Sequence, residues 1–163
     1  MGQRLNTKLS MNQDEVRSVI STRFLRPGFE FWFTDHEHIR SPFPKAIMEA
    51  VEEKTCTTFF EWIGGHKEEE LQKIADNEMV EMFETILFNE AMKLVDDEDQ
   101  QLTISYPFLP RLGDKVFNHL NESGEVTYRQ AVVAKDNAAQ LELTIINEGT
   151  GTSWKTRFEL SQT

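Results

Sequence analysis

The sequence is poor in three features: it has one cysteine, no long apolar run and no cluster of basic residues. Cys56 has no second cysteine to pair with, so an internal disulfide is excluded and a reducing compartment is indicated. No window approaches the roughly 18 consecutive apolar residues of a membrane-spanning helix, and residues 1–10 hold no apolar run suited to a signal peptide. We therefore expect a cytoplasmic protein in which Cys56 is a small core residue.

Basic residues are scarce: 17 lysines and arginines stand against 28 aspartates and glutamates, giving a net charge of −11. Binding of DNA or RNA needs clustered cations that neutralise phosphates, so nucleic acid and anionic membrane surfaces are disfavoured as partners. The acidic excess lies mostly in residues 66–100, which hold 12 acidic and 3 basic residues. We interpret this segment as carrying a solvated acidic helix face.

The composition of the chain predicts a packed core. A hydrophobic content of 39% over 163 residues is enough to bury a sizeable interior. There is no internal repeat, low-complexity tract or linker-like segment. We expect a loose arm over residues 1–11 and a single domain over residues 12–163.

Residues 12–63 are predicted to alternate between helix and strand. Asn12 and Glu15 form a capping-box variant that opens a helix, and Pro27 followed by glycine ends it. The alternating aromatics of residues 29–33 favour a strand. A second helix then ends near residue 54, and the β-branched and aromatic residues of 55–63 favour another strand, which stops at two glycines.

The strongest periodic signal covers residues 66–97. Apolar residues recur there at spacings of three and four, which predicts one long amphipathic helix, with a possible bend at Asp76 and Asn77. Alternation then predicts strands at residues 102–106, 125–135, 140–147 and 154–160. The expected fold class is α+β: N-terminal helices and one long amphipathic helix packed on an antiparallel, meander-like sheet, cone-like or hot-dog-like by analogy of architecture alone.

His36 and His38 form the first candidate site. Residues two apart in a strand point the same way, so two neutral imidazoles there begin a zinc or iron site. A third ligand from elsewhere in the chain is needed to complete it. The alternative, which we favour, is the polar end of a strand before a turn, where the flanking acids hydrogen-bond to the imidazoles.

Glu90 is the second candidate. On a helical wheel it falls in the middle of the apolar stripe of residues 66–97. A carboxylate in apolar surroundings suits general acid or base catalysis. A structural ion pair with Lys93, Arg129 or Arg157 is the main alternative, and plain exposure on a bent helix is another.

The aromatic residues between positions 24 and 62 are more numerous than one face of a strand can bury. Core packing accounts for many of them. The remainder indicate a subunit interface or a pocket for an apolar ligand. The candidates for that surface are Phe31, Trp32, Phe33, Phe60 and Trp62.

The aromatic candidates and the acidic helix face favour a non-enzymatic domain that binds a protein or an apolar ligand and associates with its own copy. The partner is then a second copy of the chain, forming a homodimer, or another protein; no cofactor is expected. The alternative is a small enzyme or carrier with an apolar pocket between helix and sheet, where Glu90 acts as acid or base on an acyl or ring substrate.

Overall fold

The computed structural model describes residues 13–160, with only the backbone of Gln13, and the chain divides into two compact units. Helices form the first unit, within residues 1–107, and strands form the second, within residues 108–163. This arrangement confirms the α+β class with an antiparallel meander. The arm expected at residues 1–11 lies outside the described residues, and the single domain over 12–163 stays a prediction.

The first helical segment runs over three consecutive pieces: α1 (Gln13–Ile20), a π-helical turn (Ser21–Leu25) and α2 (Arg26–Phe33). Pro27 explains the wider turn, because it lacks an N–H and its ring would clash with the carbonyl of Arg23 in a regular α-helix. Within the turn, the Arg26 amide donates to the Ser21 carbonyl, five residues earlier. The helix therefore continues past Pro27 and Gly28, and the predicted end there is wrong.

Residues 29–33 are the last turns of α2, so the strand predicted for them is wrong. Phe29 and Trp32, three residues apart, are buried in the helical core. Gly28 lets α2 approach α5 closely, because a Cβ atom at this position would lie 2.3 Å from Cε1 of Phe83. The alternating aromatics thus fit the helical period as well as the strand period, and burial selects the helix.

Helix α3 spans Lys45–Gly64, which makes the strand predicted over residues 55–63 wrong. Val51, Thr55, Phe59 and Ile63 recur every four residues and are all buried. Burial of this stripe outweighs the β propensity of threonine and phenylalanine. The predicted break at the two glycines is confirmed, since α3 ends there.

The segment predicted as one helix over residues 66–97 is interrupted. Helix α4 covers Glu68–Leu71 and helix α5 covers Asp76–Met92. Ala75 has an extended backbone (φ −72°, ψ 154°) and caps α5, so the chain breaks one residue before the expected bend. The apolar stripe of α5 is buried as its period predicts, and its members are Met79, Phe83, Ile86, Leu87 and Ala91.

Helix α6 spans Glu98–Ser105, so the strand predicted at residues 102–106 is also wrong. The Asp97 side chain caps this helix by accepting a hydrogen bond of 2.9 Å from the Gln100 amide. The acidic run of residues 96–99 therefore stands at a helix N-terminus, where the helix dipole favours negative charge. Among the helices within residues 13–160, none is both long and apolar enough to span a bilayer.

The second unit is a four-stranded antiparallel sheet in the order β1-β2-β3-β4. The strands are β1 (Lys115–Phe117), β2 (Ser123–Val133), β3 (Ala139–Asn147) and β4 (Ser153–Glu159). Leu141, Leu143 and Ile145 of β3 alternate along one buried face. At Gly124 of β2, an added Cβ would lie 2.6 Å from the ring of Trp154, so glycine is needed for this close approach.

Candidate functional site

A groove of about 450 Å³ lies between the first helical segment and α3. The first segment contributes residues at positions 21, 25, 26, 29, 30 and 33, which recur about every four positions and so lie on one helical face. The second wall comes from two residues of α3 that are four apart. The lining residues are Ser21, Leu25, Arg26, Phe29, Glu30 and Phe33 from the first segment, and Glu52 and Cys56 from α3.

The floor of the groove is apolar and its rim is charged. Leu25 and Phe29 are 3% and 7% exposed, and Phe33 is half-buried beside them, with its ring 5.3 Å from that of Phe29. Arg26 and Glu30 on one rim are exposed. The π turn lies at one end of the groove, and such turns are frequent at functional sites because they displace side chains from the regular helical pattern.

The charged groups of the rim are Arg26, Glu30 and Glu52, and none of them forms an ion pair within 4.0 Å in the described part of the chain. Some charged residues elsewhere in the helical unit are paired: Arg23, three residues before Arg26, binds Asp76 at 2.8 Å. The charges at the rim therefore keep their capacity to interact with a ligand.

Cys56, the only thiol in the chain, lies half-buried in the α3 wall of the groove. Burial raises the pKa of the Cys56 thiol, and the negative charge of Glu52, one turn earlier, raises this pKa further. Both effects favour the protonated thiol, which is a poor nucleophile. Cys56 is therefore poorly suited to act as a nucleophile.

His36 and His38 lie in the loop between α2 and α3, so the strand geometry expected to align their imidazoles is absent. The His36 ring stacks on Phe31 with centroids 4.9 Å apart, and its Nε2 is 2.9 Å from the Phe31 carbonyl oxygen. His38 is exposed and lies 4.0 Å from Glu37. Between residues 13 and 160, no group of three or more His, Cys, Asp or Glu side chains is arranged to hold a metal ion.

Glu90 is buried on α5 and 8% exposed. Its Oε1 accepts a hydrogen bond of 3.2 Å from the Thr58 hydroxyl and forms an ion pair of 3.1 Å with Lys93. Glu90 is not among the residues that line the groove. These contacts match the structural ion pair with Lys93, the main alternative to a catalytic role.

The five aromatic candidates lie on helices rather than strands, and only Phe33 lines the groove. Trp32 is buried against Phe88, with centroids 4.8 Å apart. Phe31 is 44% exposed, while Phe60 lies beneath the Arg17 guanidinium at 5.2 Å. Trp62 contacts His66 at the end of α3.

Sequence reasoning missed most of the groove, namely Leu25, Arg26 and Phe29. Leu25 and Arg26 precede Pro27 and Phe29 follows it, so the groove spans the position at which the helix was predicted to end. Continuing the helical period across Pro27 would have placed Phe29 on the same face as Leu25.

A second cluster of charged side chains lies on the sheet around Glu142, which is buried on β3. Its carboxylate accepts hydrogen bonds from Arg157 at 2.9 Å, Gln130 at 3.2 Å and Lys155 at 3.4 Å. These bonds, led by that of Arg157, lower the pKa of Glu142. The cluster joins three neighbouring strands and is a structural feature of the sheet.

Comparison of the chain with models of known families, with curated proteins and with solved structures finds no match.

Proposed function

We propose that this chain is a protein-interaction domain that holds an apolar segment of another protein in the groove between its first helical segment and α3. The observation that carries the proposal is the combination of an apolar floor with rim charges that form no ion pair within residues 13–160. Leu25, Phe29 and Phe33 offer a contact surface for apolar side chains. Burial of those side chains supplies affinity, and polar contacts at the rim supply specificity.

The open form of the groove favours a protein segment over a small molecule. Pockets for small ligands enclose most of the ligand surface. Here Arg26, Glu30 and Glu52 are exposed, and Ser21 and Cys56 are only half-buried. A helix or strand that enters from solvent can use such a surface without full enclosure.

The enzyme alternative finds less support. Glu90, its proposed acid or base, is held by Thr58 and Lys93 on one oxygen and does not line the groove. The homodimer remains a second candidate for the identity of the partner. Trp32 is a poor residue with which to test it, because substitution of a buried side chain would perturb the core.

The groove can be tested through the reactivity of Cys56. The probe is a synthetic helical peptide of leucine, alanine and glutamine, stapled on its far side, with leucines spaced four residues apart. We expect the peptide to slow alkylation of Cys56 by iodoacetamide in a saturable way, roughly tenfold at ten times its dissociation constant. A peptide of the same composition with scrambled leucines is the control.

Two variants show whether the peptide binds in the groove. Phe33→Ala should weaken the protection, because it removes part of the groove floor, whereas Tyr128→Ala in the exposed part of the sheet should leave it unchanged. Equal protection by the scrambled peptide, or no protection by either peptide at millimolar concentration, would contradict the proposal.

A further inference from the structure

We propose that the groove selects an amphipathic partner helix that carries lysine or arginine on both sides of its apolar stripe. The inference rests on the proposed function and deepens it, since it names the charge class of the partner. It is based on the placement of Glu30 and Glu52 in opposite walls of the groove.

The floor matches the length and spacing of a helix. Leu25, Phe29 and Phe33 are four residues apart on one helical segment, so they extend over about 12 Å at 1.5 Å per residue. A partner helix of a few turns has apolar side chains at the same spacing and can lie along this row. The wall formed by α3 then borders the partner on its second side.

The charges of the two walls determine which residues the partner needs beside its stripe. Glu30 belongs to the first helical segment and Glu52 to α3, so a helix in the groove meets a carboxylate on either side. Both carboxylates lack an ion pair in the described residues, which leaves them free to bind a cationic side chain. Arg26 is the only cation of the lining, so the groove carries a net negative charge.

Cys56 lies in the same wall as Glu52, one turn further along α3. Burial first, and then the charge of Glu52, raises the pKa of the Cys56 thiol. A carboxylate that disfavours a thiolate there will favour a cation placed at the same spot. An acidic partner segment would be repelled by the same charge.

The experiment compares two versions of the leucine-striped peptide, in which the residues flanking the stripe are all lysine or all glutamate. Affinities are measured by Cys56 protection at low salt and repeated by calorimetry. We expect the lysine peptide to bind about tenfold more tightly than the glutamate peptide, because two exposed charge pairs change from repulsive to attractive. The difference should shrink at high salt, where exposed charges are screened.

Charge variants of the groove complete the experiment. Glu30→Gln and Glu52→Gln should each reduce the preference for the lysine peptide by about two- to fivefold. The combined variant should nearly abolish the preference. Glu81→Gln, which removes an exposed carboxylate of α5 outside the groove, is the matched control and should leave the preference unchanged.

The outcomes separate the two proposals. Equal binding of both peptides, or tighter binding of the glutamate peptide, would overturn the inference about charge while leaving the groove as a binding site. Absence of binding by either peptide would overturn both. A preference for lysine that persists in the combined variant would also overturn the inference, because the selectivity would then come from elsewhere on this acidic chain.

Discussion

Two groups of charged side chains, one in each unit of the molecule, differ in how they are paired. On the sheet, Glu142 is buried and receives hydrogen bonds from Arg157, Lys155 and Gln130. Around the groove of the helical unit, the charged side chains of the rim stand beside an apolar floor without ion pairs in the described residues. The difference indicates that the sheet cluster stabilises the protein, whereas the charges of the groove remain available for binding.

Each unit also contains a glycine that lies against an aromatic ring. In the helical unit, Gly28 of α2 lies directly against the ring of Phe83, which is 1% exposed. In the sheet, Gly124 lies beneath Trp154. The helical contact joins α2 and α5, which are far apart in sequence, while the sheet contact joins β2 and β4, which both pair with β3. The first is therefore the better place to perturb the packing on which the groove depends.

The largest expected effect is that of Gly28→Ala. The new methyl group would overlap Cε1 of Phe83 at 2.3 Å. Overpacking costs about 1–3 kcal/mol, and the higher helix propensity of alanine recovers about 1 kcal/mol, so a net loss of up to about 2 kcal/mol is expected in urea denaturation. Gly64→Ala is the control, because no atom lies within 4 Å of its added Cβ. Equal stability of the two variants would show that α2 and α5 are not closely packed.

The next effect is an increase in stability, expected for Thr55→Val. The hydroxyl of Thr55 is fully buried in α3 and has no hydrogen-bond partner among the residues that the structure describes. Replacing it by a methyl group removes the desolvation cost, for a gain of about 1 kcal/mol. Thr57→Val is the control: this hydroxyl is exposed and donates to the Glu53 carbonyl, so little change is expected. A loss of stability in Thr55→Val would indicate that the hydroxyl is hydrogen-bonded.

The strands β2, β3 and β4 were predictable because their alternation has a single interpretation, whereas the short strand β1 (Lys115–Phe117) was not predicted. Along β3, Leu141, Leu143 and Ile145 point to the buried face, while Thr144 and Ile146 point to the other. Period two fits these residues and the helical period does not. The three C-terminal strands were therefore placed to within two residues of their observed bounds.

The helices were harder to predict because their local propensities oppose their structure. Residues 55–63 contain threonines and aromatics that favour strands, yet Thr55, Phe59 and Ile63 form a buried stripe of helical period. Pro27 is an ordinary signal for the end of a helix, but here a π turn accommodates it. The groove is lined by residues from the segment around Pro27 and from α3. Its lining residues therefore could not be predicted from local propensity.

Acidification should affect the sheet cluster through Glu142. The pKa of this carboxyl is lowered in the folded protein, so its contribution to stability is present above the ordinary value of about 4.5 and is lost as the pH falls through the lowered value. Glu142→Gln should therefore be less stable than the wild type at pH 7 and should lose less stability below about pH 4.5. Urea denaturation followed by circular dichroism across this pH range is the measurement.

Glu159→Gln is the matched control for this effect, because it removes an exposed carboxylate from the end of β4. The pH dependence of its stability should follow that of the wild type. If the two variants behave alike, the hydrogen bonds of Arg157, Gln130 and Lys155 contribute nothing specific to the folded state, and the contrast between the units disappears.

The smallest expected effect concerns the influence of the Glu52 charge on the pKa of the Cys56 thiol. Burial and the Glu52 charge both raise the pKa of the thiol, and Glu52→Gln removes only the second cause, so the pKa should fall part of the way back. More thiolate is then present at pH 8, and alkylation by neutral iodoacetamide should be faster by about two- to threefold, the effect of one partly exposed charge. Glu53→Gln, a neighbouring exposed carboxylate that does not line the groove, should leave the rate unchanged. Faster alkylation in both variants would mean that the overall charge of α3 controls the reactivity of Cys56. That outcome would contradict a local effect of Glu52 in the wall of the groove.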